Sequence, residues 1–186
     1  MKNKTIQEIR DFVAGYQKKK DISTSWDVPL LGFAAADDPL FEQLKTAVSL
    51  THAVPKDLLK NAGTVVSFFL PFPKSVSFTN TKERLSSHEW AVSYIETNEL
   101  IKQLSLHLAE LFAAADEEVV SIPATHNWIK ETLISNWSHR HVAFIAGLGQ
   151  FGLNNILITD KGCCGRVGSL ITSAVIEPDA RPEVEA

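Results

Sequence analysis

Cysteine is nearly absent from this sequence. The only two, Cys163 and Cys164, are neighbours, which excludes the disulfide framework of a small secreted domain. The opening stretch MKNKTIQEIRDF is charged and lacks the apolar centre of a secretion signal. Together these features predict a cytoplasmic protein. Positive charge is not in excess: 18 Lys and Arg against 22 Asp and Glu leave a net charge of −4. No basic footprint for DNA or an anionic membrane surface is therefore expected. No apolar run approaches the ~18 residues of a membrane span. Repeats and low-complexity tracts are missing too. What remains is an ordinary globular composition, 45% hydrophobic over 186 residues, enough for one core.

Residues 1–28 read as an N-terminal helix and a polar linker, and residues 29–186 as an α/β core domain. Thr5 and Glu8 have the spacing of a capping box, and Ile6, Ile9, Phe12, Val13 and Tyr16 follow at helical spacing. Lys18, Lys19 and Lys20 suit the negative end of that helix as a solvated run. A buried strand is expected over 29–36, then a helix from Pro39, since proline fits a first helical turn. Another short helix is expected over 55–60. The run TVVSFFL at 64–70 is β-branched, aromatic and continuous, the pattern of a strand covered on both faces. Residues 74–86 read as a loop. A long helix is predicted over 87–115, with Thr97 and Asn98 as a place for it to break; His107 on it reads as a satisfied helix histidine. A short strand over 118–122 and a helical turn within 125–136 follow. The alternation predicts a layered α/β or α+β domain, a mixed sheet flanked by helices.

Six of the nine glycines fall between 147 and 168, so this stretch needs close backbone approaches or left-handed turns. Gly147, Gly149 and Gly152 match G-x-G-x-x-G. A dinucleotide site needs a strand before that motif, a helix after it and an acid further on. Here residues 138–146 read as a helix stopped by Gly147, and NNILIT after Gly152 reads as a strand. The acid is missing as well. The segment is expected to run helix, glycine turn, strand, glycine loop, strand, with 156–159 pairing with 169–176. Its glycine turn at 147–152 is either an anion cradle or a tight connection that needs glycine for geometry alone.

AGLGQFGLNNILIT followed by GRVGSLIT resembles the AGLG-x-x-G-x-N-x-L-x-I … GS-x-x-x-x-T pattern of the epoxyqueuosine reductase family, and the corrinoid-binding core of reductive dehalogenases looks similar. The likeness is specific across 139–172. It is looser at Pro55 to Leu59 and at the strand ending in Pro71. The resemblance implies a nitroreductase-like fold that holds cobalamin. Carried over, Gly147, Leu148, Gly149, Gln150, Phe151 and Gly152, with Asn154, Leu157 and Ser169, would pack around the cofactor. Arg140 would meet the phosphate of its nucleotide tail. The family also carries [4Fe–4S] clusters in a following ferredoxin-like region, each taking four cysteines. This chain has two cysteines and ends at Ala186, so clusters are expected only in a C-terminal region that this chain lacks.

Two further departures bear on catalysis. Family members place an aspartate, the proton donor, upstream of the AGLG turn, but no carboxylate lies between Glu131 and Asp160 here. The lysine that often follows the third glycine is Leu153. His139 and His141 are the candidates to replace the acid, since histidine titrates near neutrality. Being two apart on a helix, they do not face each other and are not expected to share a metal. Cys163 and Cys164, read as strand neighbours, would point to opposite faces; a cysteine here would at most line an electron path. The expected function is the cofactor core of an oxidoreductase, inactive as the isolated chain, with a small-molecule cofactor and an iron–sulfur region or electron donor as partners. Two alternatives stay open. One is a flavin-binding, nitroreductase-like oxidoreductase, yellow and dimeric. The other is a non-catalytic interaction or regulatory domain whose 147–152 turn is filled by its own chain.

Overall fold

The computed structural model describes residues 1–81, 84–123, 128–129 and 134–182. In chain order these form α1 (Lys2–Tyr16), β1 (Leu30–Ala35), α2 (Leu40–Ala47), α3 (Pro55–Leu58), β2 (Thr64–Pro71), α4 (Lys74–Thr79) and α5 (His88–Ala113). Then follow β3 (Val119–Ser121), β4 (Trp128–Ile129), β5 (Ile134–Ser135), α6 (His139–Ile145), β6 (Gln150–Phe151), β7 (Leu157–Ile158) and β8 (Gly165–Thr172). The main sheet has four strands in the order β1-β2-β8-β3. The α+β class holds, but every pairing in this sheet is antiparallel, where a mixed sheet was expected. No helix among the described residues is long and apolar enough to cross a membrane.

All eight residues of β2 are buried, as its continuous apolar run predicts for a strand covered on both sides. Val66, Phe68 and Leu70 join Leu170 of β8 and the inner faces of α1 and α5, among them Ile9, Val13, Leu100, Leu104, Leu108 and Phe112. Val65 of β2 and Ile171 of β8 turn to the opposite face and meet Phe41 and Leu44 of α2, Trp137, and Val142 and Ile145 of α6. Strand alternation thus sorts one sequence into two cores. A buried Leu or Phe side chain contributes about 1.5–3 kcal/mol relative to an exposed one.

Several local expectations are corrected. α1 begins at Lys2, so Thr5 lies inside it, fully buried, with its hydroxyl donating to the Met1 carbonyl at 3.2 Å rather than capping. Residues 74–79 coil into α4 after Pro73 instead of forming a loop. Within 125–136 the described residues include the short antiparallel pair β4–β5; residues 125–127 and 130–133, on which the expected helical turn also falls, lie outside the described residues. β7 pairs with β6 rather than with residues 169–176, because β8 is already hydrogen-bonded on β2 and β3.

α5 does not break at Thr97. The Thr97 hydroxyl donates back to the Ser93 carbonyl at 2.5 Å and accepts the indole N–H of Trp26 at 2.9 Å. The expected linker is therefore tied down. The backbone N–H groups of Ser23 and Thr24 donate to the Glu96 carboxylate at 3.1 and 2.7 Å. Burial opposes the Glu96 charge, and the bonds from Thr24 and Ser23 outweigh it, holding its carboxyl below the ordinary value. His107 is satisfied, as expected, by Glu8 at 3.0 Å and by the ring of Phe12. Thr97→Val keeps the shape of the side chain and strands the buried Trp26 N–H. Urea denaturation followed by circular dichroism should show a loss of about 1–3 kcal/mol.

Candidate functional site

α6 is short because its sequence stops it. Gly147 takes φ +80°. Its N–H reaches the Phe144 carbonyl at 3.0 Å, and the Leu148 N–H reaches back to Ala143 at 2.9 Å. This pair of bonds is the Schellman stop, whose left-handed residue favours glycine. A Cβ on Gly147 would also lie 2.6 Å from the Ala180 carbonyl oxygen. Residue 180 belongs to a C-terminal strap along the edge of β1, where the N–H of Asp179 donates to the Phe33 carbonyl at 2.8 Å. Lys2 pairs with the Asp179 carboxylate at 2.6 Å.

Gly149 answers to the same chain. A Cβ there would sit 2.2 Å from the Ile158 carbonyl oxygen. Beyond it β6 and β7 form a hairpin, with Gln150 opposite Ile158 and Phe151 opposite Leu157. The hairpin closes through the Gly152 N–H to the Ile156 carbonyl at 3.0 Å, with Asn155 at φ +60°; asparagine tolerates that left-handed turn. Arg140 on α6 donates to the Asn155 carbonyl at 2.6 Å and pins the hairpin tip to the helix. Phe151 tilts against His141 at 4.8 Å and Phe144 at 5.7 Å between ring centroids. The two glycines of the G-x-G pair thus serve a helix stop and a backbone crossing.

The residues singled out in the sequence divide accordingly. Leu148, Gly149 and Leu157 are buried. Gln150, Phe151 and Gly152 are half-buried, while Arg140 and Asn154 are exposed. Ser169 is buried in the middle of β8, on the face that carries α6. Leu153, Ile156 and Ile158 add an exposed apolar rim around the hairpin.

Behind the hairpin lies a polar cluster. The indole N–H of Trp137 donates to the Ser169 hydroxyl at 3.0 Å, and His139 Nδ1 lies 2.8 Å from the same oxygen. His139 Nε2 faces the Pro123 carbonyl at 3.5 Å. A carbonyl only accepts, so Nε2 carries the proton and the Ser169 hydroxyl donates to Nδ1. Burial lowers the His139 pKa to about 4, the Pro123 carbonyl opposing and the Arg166 charge assisting. His139 is thus neutral near neutral pH and is a poor proton donor there. His141 diverges from it, as the two-residue spacing predicts: its Nδ1 meets the Ser138 hydroxyl at 2.7 Å. Burial lowers the His141 pKa as well, helped by Arg140 and His52.

His52 is the residue the sequence did not mark. It is 1% exposed and stacks on Trp137 at 5.7 Å. The Ser138 N–H donates to its Nε2 at 3.0 Å, so Nδ1 holds the proton and donates to the Ala53 carbonyl at 2.8 Å. Burial lowers its pKa. A neutral His52 thereby takes up an N–H at the start of α6. Its partner lies far away in the sequence, so no local pattern reveals it.

Cys163 and Cys164 precede β8 rather than lying in it, so the opposite-face expectation does not apply. Cys163 is exposed and Cys164 half-buried. Burial pushes the Cys164 thiol up, and the neighbouring Cys163 thiol adds to this. No group of three or more His, Cys, Asp or Glu among the described residues is placed to hold a metal ion.

The antiparallel sheet with α6 and its glycine hairpin on one face has solved counterparts. The chain has the fold of epoxyqueuosine reductase. Against the enzyme from Streptococcus thermophilus the TM-score is 0.60 at 20% identity, covering 96% of this chain and 48% of that one. The Bacillus subtilis enzyme gives 0.56 at 20% identity, over 97% of this chain and 49% of that one. An epoxyqueuosine reductase solved with an epoxyqueuosine-modified tRNA-Tyr stem loop gives 0.56 at 21% identity, over 96% and 48%. The chain thus spans about half the length of these structures. No protein-family profile matches the sequence, and no curated protein matches it significantly.

The histidine cluster fixes a pH dependence. The folded pKa of His139, about 4, lies below its ordinary value of 6.5. The unfolded chain therefore takes up this proton first as pH falls. The His139 contribution to stability is full above the ordinary value and is lost as pH falls through the folded value, with a slope of up to about 1.4 kcal/mol per pH unit. Denaturation of wild type and His139→Gln at a series of pH values should give a difference curve with that slope. A flat difference would remove His139 from the account.

Proposed function

We propose that this chain is the cofactor-holding core of an epoxyqueuosine-reductase-like oxidoreductase, and that the cofactor is cobalamin. The observation that carries this reading is the shared fold over nearly the whole chain, together with the AGLG hairpin it places beside α6. Cobalamin, when bound, supplies a redox-active cobalt for a reductive step.

The residues present fit such a group on one surface. A corrinoid is a broad, largely apolar ring with a phosphate-bearing tail. The outer side of the hairpin offers apolar surface at Leu153, Ile156 and Ile158, and Phe151, opposite Leu157 on the inner side, is half-buried. Arg140 is exposed beside it, and its hydrogen bond to the Asn155 carbonyl uses one of the guanidinium's five donors. In this reading Arg140, Gln150, Phe151, Gly152 and Asn154 contact the cofactor. Gly147, Leu148, Gly149, Leu157 and Ser169 are positioning residues: the first four shape the hairpin from within, and Ser169 anchors the segment ahead of α6 to the sheet. The proton donor is His141 rather than His139, because His141 lies against Phe151 and is not locked to the sheet serine. The [4Fe–4S] clusters and the electron donor belong to a partner region outside this chain.

A second reading has its own observation. The carbonyls of Ala180 and Ile158 occupy the places that side chains on Gly147 and Gly149 would take. A turn closed by its own chain suits an interaction or regulatory domain that keeps the fold without the chemistry.

Anaerobic titration with cob(II)alamin separates the two readings. Saturable binding with a base-off visible and EPR spectrum is expected, weakened about tenfold by Arg140→Ala and by Phe151→Ala, about 1.4 kcal/mol each. A spectrum that stays that of free cofactor with the folded chain would favour the non-catalytic reading. Gly149→Val is unsuitable as a probe, since its side chain would drive into the Ile158 carbonyl and open the hairpin.

A further inference from the structure

Alongside α5 runs an open groove of about 750 Å³ between that helix and the edge strand β3, with Pro123 in its lining. One wall is a stripe of α5 at helical spacing: Ile95, Glu99, Lys102 and Leu106. The other wall includes Val119 and Ile122. All four stripe residues are exposed, Ile95 at 67% and Leu106 at 56%. Two large aliphatic side chains left open on one helix face, bracketing two charges of opposite sign, call for a partner.

The stripe is complementary to itself. If a second α5 is laid against the first, antiparallel, about a two-fold axis passing between Leu100 and Ile101, residues equidistant from that axis meet. Ile95 then meets Leu106, and Glu99 meets Lys102. Apolar falls on apolar and acid on base, as an isologous interface requires. Each helix is at once the ridge that enters the partner's groove and the wall of its own. Within one chain Glu99 and Lys102 are 3.9 Å apart and exposed, a pair that contributes little alone and is easily exchanged for one across the interface.

We propose that this face is a homodimer interface, in which α5 of each copy lies antiparallel in the α5–β3 groove of the other. The pairing contacts lie on α5 and use no residue of the hairpin; the groove meets the histidine cluster only at Pro123, whose carbonyl faces His139. One helix pair with its flanking groove walls is small for a stable interface, so the dimer is weak and reversible.

The test is sedimentation velocity over about two decades of chain concentration, where mass action reveals a weak dimer. Wild type should shift from monomer to dimer. Glu99→Lys alone sets Lys against Lys across the axis, and Lys102→Glu alone sets Glu against Glu; each should weaken the dimer about tenfold or more. Mixing the two variants restores both pairs and should recover the dimer, as should the double variant. Circular dichroism checks that these surface changes leave the fold intact. A chain that stays monomeric throughout, or a dimer indifferent to either charge reversal, overturns the proposal.

Discussion

The Ser169 hydroxyl is the contact on which the arrangement of the site depends. It sits in the second of the two central strands, buried, and accepts from Trp137 while it donates to His139. Those two residues flank the start of α6. The helix is therefore set on the sheet by a polar anchor as well as by the apolar contacts of Val142 and Ile145. A serine whose hydrogen bonds are both used in the interior fixes direction in a way that an alkyl contact does not. From α6 the rest follows. The Schellman stop at Gly147 reverses the chain, Gly149 lets it cross Ile158, and Arg140 holds the hairpin tip.

This order of dependence separates fold from chemistry. The glycines that look like a ligand motif are consumed by the chain's own geometry. In the proposed reading the ligand meets the outside of the hairpin, which is apolar with Arg140 beside it. A reductase-like fold has thus been combined with a site in which a neutral histidine is locked to the sheet and no carboxylate stands nearby in sequence. His141 and Arg140, not the glycines, are the side chains with chemistry to offer.

Much of this was legible in the sequence where a pattern is local. The run at 64–70 reads as a doubly covered strand because its alternating residues feed two cores, and β2 is buried throughout. Gly147 reads as a helix stop because the preceding apolar residues are periodic. The α6–turn–strand order, and with it the departure from a dinucleotide fold, came from the same local signals. Long-range pairing was not legible. The partner of residues 157–158 was misassigned because nothing in NNILIT distinguishes Phe151 from a residue of β8 as its opposite. Thr97 read as a helix break because its Trp26 partner is distant in sequence. His52 carried no signal at all, its role being set by an N–H at Ser138. The residues of the AGLG segment were placed in one neighbourhood by sequence, but which of them face outward required the hairpin.

Hydrogen exchange on wild type and Ser169→Ala tests the anchor most directly. Removing the hydroxyl leaves the Trp137 N–H without its acceptor and releases His139, a local cost of about 1–3 kcal/mol. Amides of α6 and of the β6–β7 hairpin should then exchange faster, while those of α1, α5 and β2 keep their protection, since local opening falls below global unfolding. Equal acceleration across the whole chain, or none in α6 and the hairpin, would contradict the claim that this one hydroxyl holds the site in place.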